Sequence, residues 1–150
     1  MGAGRVSFVV APIVEGHGDV AAVPVLLRRL CPEIPVARPV RFPRSRLIEE
    51  PQLVRAARIA AANITERGAV LLVIDADEDC AAEIGPKLQA TLTRAIPQLL
   101  CRVGIVVREF EAWIVGGDAS LAEDRRVTVR IKVFGVVQEP AAVDRTAATP

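Results

Sequence analysis

AVLLVIDADED, residues 69–79, joins six consecutive aliphatic side chains to a segment in which four of five residues are acidic. A short unbroken apolar run that ends in a turn signal is the pattern of a strand buried on both faces. The change of character at Asp75 places carboxylates at that strand's C-terminal end. On the N-terminal side, Gln52–Arg67 sets Leu53, Ala56, Ala57, Ala60 and Ile64 on one helical stripe. Pro51 opens this helix and Gly68 reads as the glycine that closes it. On the other side Ala81–Ile96 reads as a helix, with Pro86 near its first turns and Pro97 after its end.

The same alternation continues outward. Val6–Val14 is a β-rich run broken by Gly16-His17-Gly18. Asp19 is placed to cap a helix over Val20–Leu30, in which Val23, Leu26, Leu27 and Leu30 recur at helical spacing and Pro24 falls in the first turn. Val36–Phe42 reads as a second strand, confined to a sheet edge by Pro39. Arg102–Val107 is a fourth strand, and Arg108–Val115 carries Phe110, Trp113 and Ile114 at helical spacing, with Trp113 read as a core anchor. The order β-α-β-α-β-α-β-α predicts an α/β fold with a mainly parallel four-stranded sheet flanked by helices. Residues 1–118 form the expected domain. Residues 119–150 are a C-terminal extension, with a strand-like VTVRIKVFGVV followed by a frayed tail.

Composition narrows the classes of function. A chain of 150 residues fits one domain, and 51% hydrophobic with 25% charged residues excludes global disorder. A net charge of +1 gives no bulk attraction to nucleic acid or membranes, so any such binding needs a local patch. Arginine supplies 17 of the 19 basic residues, which reads as the codon bias of a GC-rich genome. Three cysteines and a single histidine support neither a disulfide framework, a zinc site nor a histidine cage. The P-loop, G-x-G-x-x-G and G-x-S-x-G motifs are absent. The apolar N-terminal run is too short to span a membrane and lacks the marks of a signal peptide, so a soluble cytoplasmic protein is expected.

Carboxylates follow three of the predicted strands: Glu15 after the first, Asp75, Asp77 and Asp79 after the third, Glu109 and Glu111 after the fourth. In an open parallel sheet the C-terminal strand ends share one edge, where ligands bind. Hard oxygen ligands gathered there suit Mg²⁺ or Mn²⁺. If the strand alternation continues past Asp75, then Asp75, Asp77 and Asp79 aim to one side. The competing reading is a solvated loop whose carboxylates cap the next helix. Gly16 and Gly18 permit positive φ and close approach of a ligand, ahead of a helix N-terminus. Arg38, Arg41, Arg44 and Arg46 fall within nine residues, together with Phe42. Arg41, Arg44 and Arg46 are candidate phosphate contacts and Phe42 a stacking surface, against a solvated loop partly answered by Glu49 and Glu50. The cysteines read as core residues or bystanders.

Glu15-Gly16-x-x-Asp19 after the first strand and Asp75-x-Asp77-x-Asp79 after the third resemble the motifs of Toprim domains, the metal-binding catalytic domains of topoisomerases, DnaG-type primases and OLD-family nucleases. IVEGHGDVAAVPVLLRRL, LLVIDADEDCAAEIGPKL and REFEAWIVG are similar to the DUF4276 group of Toprim-like bacterial proteins, over roughly residues 6–117. The resemblance implies a Toprim-like, Rossmann-like sheet. It implies that Glu15 binds metal or acts as general acid/base, that Asp75 and Asp77 are the metal-binding pair, and that Asp79 is a third carboxylate. Arg108, Glu109 and Glu111 belong to the group's own signature and are implied to face the same rim. Members of the group continue into a longer helical C-terminal region, so residues 119–150 look truncated by comparison.

The expected function is a Mg²⁺- or Mn²⁺-dependent nuclease or phosphodiesterase acting on nucleic acid. The alternative is a non-catalytic metal-binding or partner module of an ATPase or defence-type complex, with self-association left open. A receiver-like phospho-acceptor is disfavoured, because Val107-Arg108-Glu109 offers no lysine after the fourth strand.

Overall fold

The computed structural model describes residues 7–106 and 131–134. Along the chain the elements are β1 (Phe8–Val14), α1 (Asp19–Leu30), β2 (Val40–Arg41), α2 (Arg44–Leu47), α3 (Glu50–Ala61), β3 (Arg67–Asp75), α4 (Ala81–Ala95), β4 (Leu100–Val106) and β5 (Ile131–Phe134). The sheet order is β2-β1-β3-β4-β5. The first four strands are parallel and β5 pairs antiparallel with β4. The fold is therefore α/β and Rossmann-like, with four parallel strands flanked by helices as the alternation predicts. The fifth strand comes from VTVRIKVFGVV, so part of the C-terminal extension joins the sheet.

Both faces of the sheet are covered. Alternate residues Ala11, Ile13, Val70, Leu72, Ile74, Val103 and Ile105 pack with Leu53, Ala56, Ala57 and Ala60 of α3 and Leu88 and Leu92 of α4. The intervening residues Val14, Val73 and Val106 pack with Val23 of α1 on the other face. Small alanines on α3 let that helix approach the strands closely, which compensates for a core with few aromatic side chains.

The structure departs from the sequence expectation in four places. Helix α3 stops at Ala61 rather than Arg67, and the chain turns through Asn63 and Ile64, whose N–H groups reach Ala60 and Ala61. Ile64 still packs against the core from this turn, and its spacing from Ala60 imitated a longer helix. Gly68, read as a helix terminator, lies inside β3, where a Cβ would sit 2.3 Å from the Val9 carbonyl oxygen and 2.8 Å from Ile64 Cγ2. Pro24 is the sixth residue of α1, past the first turn, so the Val20 carbonyl loses its usual helical donor. The second strand shrinks to two residues plus an isolated bridge at Val36. Its interruption has a cause in β1: Val10 and Val14 bond toward β2, and Pro12 between them has no N–H to offer.

No helix among the described residues is long and apolar enough to cross a membrane.

Candidate metal centre

β1 lies between β2 and β3, so the chain leaves β1 for one neighbour and later returns on its other side. That reversal opens a crevice at the C-terminal ends of β1 and β3, the place where ligands bind in open α/β sheets. Glu15 follows β1 directly and Asp75 is the last residue of β3, with Val14 paired to Val73 in the adjoining rungs. The main-chain N–H of Asp75 donates to Glu15 Oε1 at 3.3 Å, and Glu15 Oε2 is buried with no hydrogen-bond partner. Burial pushes the Glu15 carboxyl up to about 7, helped by the charges of Asp75 and Asp77 and by a side-chain hydrogen bond with Asp75. The Asp75 N–H pulls the other way without offsetting this.

Beyond Asp75 the strand alternation stops. Ala76 is buried and its N–H is held by the Val106 carbonyl at 2.8 Å, while the Asp79 N–H closes a turn onto Ala76 O at 2.9 Å. Asp77, with φ 50°, is the one non-glycine residue in the left-handed region among the described residues. A short polar side chain is among the few that visit that region readily. Asp77 and Asp79 therefore do not continue the parity of Asp75. Nor do they cap α4, whose N-cap is Cys80 with no side-chain capping bond.

Both carboxylates turn to Arg44. Its Nε donates to Asp75 O at 3.0 Å and its Nη2 to Ala76 O at 3.0 Å. The same guanidinium pairs with Asp77 Oδ2 at 3.3 Å and with Asp79 Oδ2. Burial by itself lowers the Arg44 pKa, but the Asp79 bond and the charges of Asp77, Asp79 and Glu15 outweigh it and leave the pKa raised. Arg44, Asp77, Glu78 and Asp79 line a shallow open cleft. Arg44 thus serves the acidic turn rather than standing free for phosphate. Leu47, fully buried, anchors α2 beside the rim.

Of the other candidate phosphate contacts, Arg46 is exposed on α2. Arg41 ends β2, paired with Val14, and its Nε is buried without a partner. Phe42 packs partly buried against the core. Asp19 does not cap α1. Gly18 is the N-cap with φ −64°, and Asp19 Oδ2 accepts the Gly16 N–H at 2.9 Å. Neither glycine takes positive φ. Gly16 instead leaves room for Asp19, because a Cβ there would lie 2.7 Å from Asp19 Oδ2. Gly16→Ala is expected to displace Asp19, break this bond and lower stability by about 1 kcal/mol in a denaturant titration. Cys31 and Cys80 are exposed; Cys101 is buried in the core, and burial raises its thiol to about 11. Arg108, Glu109, Glu111 and Trp113 lie outside the described residues.

Among the described residues no group of three or more His, Cys, Asp or Glu side chains is arranged to hold a metal ion. The fit to a hard cation comes from two residues. Glu15 and Asp75 supply oxygen donors at adjacent strand ends, and Glu15 Oε2 is a buried acceptor lacking a donor. Asp77 and Asp79 already meet a positive charge in Arg44. Comparison with family models, curated proteins and solved structures finds no match to this chain.

Proposed function

We propose that Glu15 and Asp75 form a divalent-metal centre for phosphodiester hydrolysis on nucleic acid. The observation that carries this reading is the buried, unpartnered Glu15 Oε2 beside Asp75 at the switch point of the sheet. Mg²⁺ commonly takes one or two carboxylates and fills its other positions with water and substrate phosphate, so two protein ligands suffice. A Mg²⁺ or Mn²⁺ ion held there supplies phosphate orientation and stabilisation of developing charge. In the metal-free chain the Glu15 carboxyl is held near 7, so an ion bound there at neutral pH displaces its proton. Of the three candidate phosphate contacts, exposed Arg46 and Arg41, paired in β2 beside Val14, are left to meet the phosphate backbone.

The test is Mg²⁺ and Mn²⁺ binding by calorimetry, with metal-dependent nicking of supercoiled DNA measured in parallel. Asp75→Ala and Glu15→Gln are each expected to abolish both. Absence of metal binding by the wild-type chain would overturn the assignment. Binding without nicking would leave the metal-binding partner-module reading.

A further inference from the structure

We propose that Arg44 is the resident cation of the β3–α4 turn, taking from within the chain the position that a second divalent ion would fill at Asp77 and Asp79. This rests on the metal-centre reading for Glu15 and Asp75, and sets at one the number of ions that the described residues of the rim accept.

The inference stands on how one guanidinium is used. Arg44 reaches across 31 residues of sequence to the Asp75 carbonyl and 35 to the Asp79 carboxylate. Its side chain is 19% exposed, while Asp77 and Asp79 are 59% and 47% exposed. The cation is thus the shielded member and the carboxylates close over it from the solvent side. Two of its bonds go to main-chain carbonyls of Asp75 and Ala76, each at 3.0 Å, and do not depend on the protonation of any carboxylate. They fix the planar fork at the strand end. The turn then wraps Asp77 and Asp79 around it, with Asp77 held in its left-handed conformation. A divalent ion at the same carboxylates would face a fixed positive charge at hydrogen-bonding distance. That repulsion excludes it, and the Glu15–Asp75 end of the rim remains the place for an ion.

The role is one of positioning and charge compensation, and its test counts ions. Mn²⁺ stoichiometry is measured by calorimetry and by the paramagnetic signal of free Mn²⁺, for the wild type, Arg44→Gln and Arg44→Lys. Arg44→Gln is expected to bind one more Mn²⁺ than the wild type, and Arg44→Lys, which keeps the charge, to match the wild type. Adding Asp77→Asn and Asp79→Asn to Arg44→Gln is expected to remove the extra ion. Equal stoichiometry in wild type and a folded Arg44→Gln would overturn the proposal, whatever that number is. A wild-type value of zero would overturn the Glu15–Asp75 centre instead, and the difference between the two proteins would still decide the role of Arg44. Should Arg44→Gln fail to fold, Asp77→Asn with Asp79→Asn in the otherwise wild-type chain decides it. Unchanged Mn²⁺ binding is the expected result, and loss of an ion overturns the proposal.

Discussion

Gly68→Ala is expected to lower the thermal unfolding midpoint by about 10 °C in a circular-dichroism melt, equivalent to about 3 kcal/mol for a chain of this size. The added methyl group would lie 2.3 Å from the Val9 carbonyl oxygen, far inside van der Waals contact. Val9 and Gly68 are paired rungs of β1 and β3, so the obstacle is main chain, and no side-chain rotation relieves it. Ile64 Cγ2 closes the site from the turn after α3, at 2.8 Å. Relief requires the two central strands to part at their N-terminal ends or Ile64 to leave the core. An unchanged midpoint would mean that β1 and β3 do not approach as described.

Glu15→Gln is expected to have the opposite sign. With a carboxyl held near 7 in the folded chain and near 4.5 when unfolded, the native state binds more protons between those values. Stability therefore falls as pH rises from about 4.5 through 7 and levels off above. The full difference is about 3 kcal/mol, reduced in practice because the group is only half-buried. Glutamine cannot ionise, so the variant should match the wild type near pH 4 and exceed it by about 2 kcal/mol at pH 8 in urea titrations. Parallel stability–pH curves for the two proteins would show that Glu15 is not the residue responsible. If the carboxylate binds Mg²⁺, saturating Mg²⁺ at pH 8 should restore the wild type and leave the glutamine variant unmoved.

The elements with strong periodicity were legible from sequence alone. The apolar run ending at Ile74 read as an inner strand, and the alanine stripe of α3 marked the helix that covers it. That Glu15 and Asp75 share one edge followed from the parallel arrangement; that their strands are neighbours came from the sheet order. What escaped depended on contacts between distant residues. Nothing local to Arg44 distinguishes it from Arg41 or Arg46, since its partners are main-chain carbonyls on another element. The alternation of Asp75, Asp77 and Asp79 misled because the chain leaves the strand after Ala76, with Asp77 in the left-handed region and Asp79 turned back onto Ala76. Gly68 misled similarly, since a glycine demanded by strand approach looks the same in sequence as one demanded by a helix end.

The proline in β1 also bears on how the protein behaves in concentrated solution. Edge strands with long rows of open N–H and C=O groups are templates on which a second chain can add. Here the β2 margin has only two strand residues and one isolated bridge, with Pro39 directly beside them. Because Pro12 cannot bond outward, the neighbouring segment is never drawn into a longer ladder. The margin is thereby kept short and irregular, and offers an incoming strand little to zip onto. Pro12→Ala, by returning the missing donor, would extend this margin and make the sheet a better nucleus for intermolecular β-association.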